Sequence, residues 1–338
     1  MNGIIKNIAT WVVNARWIAL PQSVLPALLA IAMAARTDDF SGWMAVIALL
    51  GIICAHLGMN LADDYFDYQV KSGEVRTTMA SEGMRARIAK YPYLTLGHAT
   101  VKELRVAIGI FLLLAVICGC VVLFFRGLPT LWLMLTGGFL GISYSGKPFH
   151  LSYHGWGEPV IGVMFGPLLM TGIYYASCGQ FDIDLALVSV MVGLLVINIV
   201  YSHSVLDIEA DRKMNKKTFA QILRTDRAQL IGSAVFNFVP FLLMLVGVAC
   251  GWLHVGFLLV FLLLPMAISL FRSLEQFVHH KEADLTIRFW MGPMGKWDDY
   301  CKFGVGWFMF RWLQARNMIM FFCLILILVN LVLEFVRV

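Results

Sequence analysis

Residues 41–67 read SGWMAVIALLGIICAHLGMNLADDYFD. The first part, 41–61, is an apolar run of the length a helix needs to cross hydrocarbon, about 20 residues at 1.5 Å each. Its end is abruptly polar. On a helix, residues three and four apart share a face, so Asn60, Asp64 and Asp67 line one side of the last turns. Like charges one turn apart at a membrane boundary are electrostatically costly unless a counter-ion joins them. A spanning helix with an acidic end therefore sets both the fold class and the first question about function.

The rest of the chain is built the same way. Of 338 residues, 60% are apolar and 14% charged, and the mean hydropathy is +0.78. A soluble domain carries roughly a quarter charged residues, so a soluble globular protein is excluded. Nine runs have spanning character: 17–35, 41–61, 104–125, 128–145, 158–177, 185–205, 229–251, 253–271 and 315–335, the fourth being the shortest. Inside lipid a backbone must satisfy its own hydrogen bonds, so these runs are helices. Residues 1–16 lack the features of a cleaved signal and read as an interfacial amphipathic helix, with Trp11 and Trp17 at the boundary. Cationic residues concentrate in the N-terminus and the loops after spans 2, 4, 6 and 8, which places those segments in the cytoplasm. The net charge of +5 is accounted for by that asymmetry, and nucleic acid is not an expected partner. The seven cysteines show no metal-ligand spacing and read as small buried hydrophobes.

The acidic ending recurs. Span 6 finishes in His203-Ser-Val-Leu-Asp207-Ile-Glu209-Ala-Asp211, four spans after the first motif and therefore travelling the same way across the membrane. The expected architecture is an all-α integral membrane bundle of nine helices, two four-helix halves (1–4 and 5–8) plus one, within a single domain over 1–338. The segment at about 272–314, with its charges and four tryptophans, is expected to form a cytoplasmic cap. His203, Asp207 and Asp211 share a face at the end of span 6 and oppose the first triplet.

Mg²⁺ suits two such clusters. It takes carboxylate oxygens, keeps several waters, and commonly joins one or two protein carboxylates to a substrate phosphate. Arg16, Lys71, Lys147, Arg212 and Lys216 surround the clusters in sequence and are candidate diphosphate contacts. Acidic groups for a metal beside basic groups for an anion point to a diphosphate site. An apolar bundle under that site would shelter an isoprenoid tail, and an aromatic nucleophile could capture the allylic cation once the diphosphate leaves.

These residues resemble the UbiA-type intramembrane prenyltransferases, most nearly the branch that prenylates 1,4-dihydroxy-2-naphthoate in menaquinone synthesis. The resemblance rests on Asn60-Leu-Ala-Asp-Asp64-Tyr-Phe-Asp67 through Gly73, on Asp207-Ile-Glu-Ala-Asp211-Arg212 with Lys216-Lys217-Thr218, and on Tyr144-Ser-Gly-Lys147-Pro148 followed by Tyr153-His154-Gly-Trp-Gly157-Glu158-Pro159. It covers roughly residues 10–230. It implies that Asp64, Asp67, Asp207 and Asp211 bind Mg²⁺, that Asn60 supports the first cluster, and that Arg16, Lys147 and Lys216 contact the diphosphate. Tyr144, His154, Glu158 and His203 are candidates for the acceptor side. The chain departs from the branch at Leu206 and Ser204, where Arg and Asn are usual, at Asn215, where Gly is common, and at Asp63, where Asn is frequent.

The expectation is a multi-pass enzyme of a bacterial inner membrane with its N-terminus and active site in the cytoplasm. It would use Mg²⁺ to pass a polyprenyl group from its diphosphate to a small aromatic acceptor, with membrane lipid as surroundings. Rival readings keep the site but change the acceptor (4-hydroxybenzoate or homogentisate, for example) or make the chain a membrane terpene cyclase. A transporter would place its ionisable groups near the bilayer midplane on broken helices, whereas here the carboxylates gather at one boundary. Chain length of the donor and oligomeric state are not encoded in any motif.

Overall fold

The computed structural model describes residues 2–69 and 91–337, and among these it is helical throughout. Lys71 lies outside the described residues. The first helix, α1 (Asn2–Asn14), leads through a left-handed turn at Arg16 (φ 59°) into α2 (Pro21–Ala34). Then come α3 (Gly42–Gln69), the short α4 (Pro92–Thr95), α5 (Val101–Arg126) and α6 (Leu128–Ser145). The second part holds α7 (Gly157–Cys178), α8 (Ile183–Leu206), the short α9 (Ile208–Lys213) and α10 (Phe219–Ile222), and α11 (Asp226–Ala249). The chain finishes in α12 (Val255–Val278), α13 (Trp297–Lys302) and α14 (Gly306–Arg337).

Seven of these helices, α3, α5, α7, α8, α11, α12 and α14, are long and apolar enough to cross a membrane. The remaining two runs expected to span are helical as well. However, α2 has only 14 residues and α6 has 18, with Pro129, Gly137, Gly138 and Gly141 diluting its apolar character. Large apolar side chains face outward, among them Phe124 at 83%, Leu262 at 72% and Leu328 at 61% exposure, the inverse of a water-soluble surface. The chain is a multi-pass integral membrane protein.

The layers follow from burial. In α8, 61% of the apolar window is buried, against 11% in α5, so α8 is the central column and α5 a peripheral one. Close approach of α7 to α8 depends on glycine. A methyl group at Gly166 would lie 2.5 Å from the Gly193 Cα, and one at Gly162 would lie 3.0 Å from the Gly193 carbonyl oxygen. Small residues four apart let two membrane helices touch backbone to backbone, where dispersion replaces the absent hydrophobic drive.

Within α7, Met164–Leu168 forms a wide π turn. Pro167 accounts for it, having no N–H to donate and a ring that clashes with the carbonyl four residues back.

The 272–314 segment begins and ends in long helices. Residues up to Val278 complete α12 and those from Gly306 begin α14, leaving irregular chain, one 3₁₀ turn and α13 between. Arg311 explains the helical extension. Although it is 2% exposed, its guanidinium donates to the Ser273 carbonyl at 2.7 and 2.9 Å and faces the Phe277 ring, tying α14 to α12. The cap's own small core is Met291, Met294, Phe310 and Leu313.

Candidate active site

The first motif is held from four directions. Asn60 Nδ2 donates to the Ala15 carbonyl at 2.9 Å, which pins the turn carrying Arg16 against α3. Arg16 then donates to the Asn60 carbonyl at 2.9 Å and lies 3.2 Å from Asp64 and 3.4 Å from Asp63. From α4, the Tyr93 hydroxyl donates to Asp64 Oδ2 at 2.9 Å. Across from it the Tyr153 hydroxyl donates to Asp67 Oδ1 at 3.0 Å. Asp64 and Asp67 are 2% and 5% exposed. Burial, together with the carboxylates of Asp64 and Asp67 respectively, pushes both phenols well above the ordinary tyrosine range, so they remain hydrogen-bond donors at any working pH. For Arg16 burial acts downward, but Asp64 and Asp63 outweigh it and hold the guanidinium protonated.

The second motif is shaped by its backbone. Sequence reasoning placed His203, Asp207 and Asp211 on one uninterrupted helix face; instead α8 ends at Leu206 and α9 begins at Ile208. Asp207 stands between them with φ −102° and ψ 10°. Its N–H donates to the His203 carbonyl at 2.9 Å, and its own carbonyl accepts from the Asp211 N–H at 2.8 Å. Aspartate favours such boundary positions because its short side chain competes for nearby N–H groups. Asp207 and Asp211 are 6% and 3% exposed.

Tyr153 brings the two motifs together. Its hydroxyl reaches Asp67 of the first, and Asp211 of the second acts on the same phenol. Lys216 Nζ lies 5.6 Å from the centre of its ring, an attraction between cation and π face. The Lys217 N–H donates to the Tyr153 carbonyl at 3.1 Å, and the Lys216 N–H to the Asp211 carbonyl at 2.9 Å. One turn before α7 therefore touches both acidic clusters and the basic loop between α9 and α10.

Other expected site residues divide. Tyr144 lies within electrostatic reach of Asp63, Glu158 and Asp67. Glu158, expected on the acceptor side, is 2% exposed and already engaged: it accepts from the Ser204 hydroxyl at 2.5 Å and from the Phe219 N–H at 3.1 and 3.2 Å. It joins the start of α7, the end of α8 and the loop that carries Lys216. His154 is exposed, with Nδ1 2.9 Å from the His150 carbonyl. His203 faces α14, its ring 5.1 Å from Phe308 and 5.9 Å from Trp312. Lys147 and Arg212 are exposed.

Three departures in sequence acquire reasons. Ser204 is a donor to Glu158. Asp63 accepts from the Ser145 hydroxyl at 2.7 Å and faces Arg16. Asn215 adopts φ 52°, a left-handed conformation that Asn tolerates better than most residues and that glycine adopts freely. Sequence reasoning missed Tyr93, Tyr153 and Ser145 as partners of the aspartates. Tyr153 was inside a quoted motif, but nothing in its spacing said which carboxylate it meets.

The donor set fits Mg²⁺. All four buried motif carboxylates offer hard oxygen, and Tyr93 and Tyr153 orient two of them as outer-shell partners commonly do. Among the described residues no three His, Cys, Asp or Glu side chains close into an all-protein cage. A surface cleft of about 320 Å³ between α11 and α12, lined by Arg227, Ile231, Phe271 and His279 among others, shares none of these residues.

Comparison with known proteins bears on the same region. A 2-carboxy-1,4-naphthoquinone phytyltransferase of Synechocystis sp. is 28% identical over 271 residues, 79% of this chain and 83% of that protein. The 1,4-dihydroxy-2-naphthoate octaprenyltransferases of Mycobacterium tuberculosis and Bacillus subtilis are 26% and 27% identical, with 73% and 71% of this chain matched to 81% and 75% of theirs. Among solved structures, a digeranylgeranylglyceryl phosphate synthase shares the fold with a TM-score of 0.62 at 11% identity, covering 95% of this chain and 99% of that one. A UbiA homolog from Archaeoglobus fulgidus bound to GPP and Mg²⁺ gives 0.58 at 15% identity, covering 91% and 99%. The UbiA prenyltransferase family matches residues 23–292, beyond the 10–230 that the motifs alone covered at the C-terminal side. With that match spanning most of the chain and its motifs meeting at one end of the bundle, the protein belongs to the UbiA prenyltransferase family.

Proposed function

We propose that this prenyltransferase moves a polyprenyl group from its diphosphate to an aromatic acceptor, 1,4-dihydroxy-2-naphthoate, in the route to menaquinone. The observation that supports it most is the meeting of both aspartate motifs and the Lys216 loop around Tyr153. The names of the relatives in Synechocystis, Mycobacterium and Bacillus favour a naphthoate acceptor. Asp64, Asp67, Asp207 and Asp211 would hold Mg²⁺, which when bound supplies the positive charge that steadies a departing diphosphate. Arg16 and Lys216 meet phosphate oxygens directly, with Lys147 and Arg212 around the rim; Lys71 is proposed as a further diphosphate contact from the sequence alone. Arg16 approaches them while still paired with Asp64, so its charge is fixed in place before the donor arrives.

In the reaction the allylic C–O bond breaks and its electron pair leaves with the diphosphate. The ring carbon of the acceptor then bonds to the allylic carbon, and its carboxyl departs as carbon dioxide. The buried carboxylates and phenols keep this step at the mouth of the bundle, while the prenyl tail lies among apolar helices. We place the N-terminus and this mouth in the cytoplasm of a bacterium, with the nine helical runs arranged as two four-helix halves and a ninth in one domain.

The test is product analysis with a labelled polyprenyl diphosphate and Mg²⁺, with and without the naphthoate. Prenylated, decarboxylated naphthol is the expected product. Cyclic hydrocarbon formed without acceptor would replace this reading with a terpene cyclase, and transfer to 4-hydroxybenzoate alone would change the acceptor.

A further inference from the structure

One ionisable side chain within the membrane-spanning part of α3 has no place in the chemistry above. His56 lies one turn before Asn60 and two before Asp64, on the same stripe of the helix. A helix rises 1.5 Å per residue, so His56 is about 12 Å deeper than Asp64, below the mouth of the bundle. Polar groups at such depth are expensive and are kept for use. His56 is 8% exposed, and its surroundings are built from three helices. Ser23 of α2 is fully buried, with its Oγ 2.6 Å from His56 Nδ1. Phe165, in the wide turn of α7, packs edge-on with its ring centre 5.2 Å away.

The Ser23 hydroxyl has one proton and two acceptors within reach, the Leu20 carbonyl at 3.1 Å and His56 Nδ1 at 2.6 Å. When it donates to Leu20 it accepts from Nδ1–H, and Nε2 then presents a lone pair. Among the described residues no protein group bonds to Nε2. A lone pair there repels phosphate oxygens and gains nothing from a prenyl chain. Of the two substrates of the proposed reaction, only a hydroxyaromatic acceptor has an O–H to give it.

We propose that His56, oriented by Ser23, binds the acceptor by taking a hydrogen bond at Nε2 from one of its hydroxyl groups. This inference rests on the aromatic-acceptor reading above and adds where the ring lies: beneath the diphosphate, between α2, α3 and α7, on the wall that includes Phe165. The hydroxyl is the feature read, so the residue discriminates phenolic acceptors from their ethers.

The experiment is a cycle of two changes, one in the protein and one in the acceptor. Transfer to 1,4-dihydroxy-2-naphthoate and to each of its two monomethyl ethers is measured for the wild type, His56→Leu, His56→Gln and Ser23→Ala. In the wild type, one ether should show a KM raised about 10-fold, the order of one hydrogen bond. In His56→Leu the parent acceptor should fall to the level of that ether, with KM for the prenyl diphosphate and half-saturation by Mg²⁺ within about twofold of wild type. His56→Gln, whose amide can accept, should recover most of the loss, and Ser23→Ala should show a smaller defect in the same direction. A methylation penalty equal in wild type and His56→Leu would overturn the proposal, as would equal shifts for both substrates. If His56→Leu does not fold, the same comparison on His56→Gln and Ser23→Ala decides. Failure of the underlying reading looks different: the wild type would then prenylate no hydroxyaromatic compound at all.

Discussion

The two aspartate motifs end equivalent helices, yet they are held by different means. Asp64 and Asp67 lie within one continuous helix, and side chains from elsewhere come to them: Arg16, Tyr93 and Tyr153. Asp207 and Asp211 straddle a break between α8 and α9, where main-chain bonds join Asp207 to His203 and Asp211 to Asp207. Support for the second side comes through Glu158, which fastens Ser204 and Phe219 to α7. Similar carboxylates thus reach one mouth by unlike routes. A motif repeated in sequence preserves the carboxylates, while the scaffold around each copy is free to differ.

Replacing the carboxylates themselves is the strongest way to break that comparison. Asp64→Ala and Asp207→Ala should each lower Mg²⁺-dependent prenyl transfer at least about 100-fold, because loss of an outer-shell partner alone costs 10–100-fold. Asp64→Ala also leaves Arg16 and Tyr93 without the acceptor they share, so its thermal midpoint in detergent should fall below that of the wild type. If either variant keeps near-normal transfer, its metal role is wrong. A wild-type midpoint for Asp64→Ala would show that Asp64 does not join Arg16 to Tyr93.

Glu158 tests the second scaffold. Glu158→Ala strands the Phe219 N–H and leaves the Ser204 hydroxyl only the Val200 carbonyl at 3.1 Å, which costs about 1–3 kcal/mol. Glu158→Gln keeps acceptor capacity and should lose less. Denaturant titration in mild detergent measures both. Wild-type stability in the alanine variant would show that α7, α8 and the Lys216 loop are not joined there.

Tyr153 sharpens the comparison, since it touches both sides and its two functions can be separated. Tyr153→Phe removes the donor to Asp67 but keeps the ring beneath Lys216. The Mg²⁺ concentration for half-maximal activity should rise about 10-fold with little change in KM for the prenyl diphosphate. Tyr153→Leu loses the ring as well and should raise that KM too. Identical profiles for the two variants would mean that Lys216 gains nothing from the aromatic face.

How much of this was legible beforehand follows from the range of each interaction. Span lengths and the acidic ends depend on residues near one another in the chain, so the periodicity of 41–67 predicts a helix with Asn60, Asp64 and Asp67 on one side. The break at Asp207 is also local, but Leu206, Glu209, Ala210 and Arg212 around it are good helix formers and conceal it. Tyr93 to Asp64 spans 29 residues and Tyr153 to Asp67 spans 86, and no spacing rule identifies such partners. His56 was hidden for another reason. A single histidine in an apolar run reads as tolerated packing until Ser23, 33 residues earlier, is found 2.6 Å from its Nδ1. The charges and tryptophans of the 272–314 segment suggest a cap, and no pattern in them tells that α12 and α14 run into its two ends, where Arg311 ties them together.

The smallest effects belong to the exposed cations. Lys147 and Arg212 differ from Lys216, which is half-buried against Tyr153. A charge surrounded by water acts on an arriving diphosphate through a high dielectric and is screened beyond about 8 Å at physiological ionic strength. Lys147→Gln and Arg212→Gln should therefore raise KM for the prenyl diphosphate only about two- to threefold each, comparable to an exposed ion pair worth under about 1 kcal/mol. Added salt should erase most of that difference by weakening the wild type toward the variants. Lys216→Gln should behave otherwise, with a larger rise in KM that persists in salt, because its ammonium is held at fixed distance over a ring. Initial rates for the three variants at low and high ionic strength distinguish the cases. A salt-resistant defect in Lys147→Gln would move that lysine from the rim into direct contact with the diphosphate, and the mouth of the site would then extend to the loop joining α6 and α7.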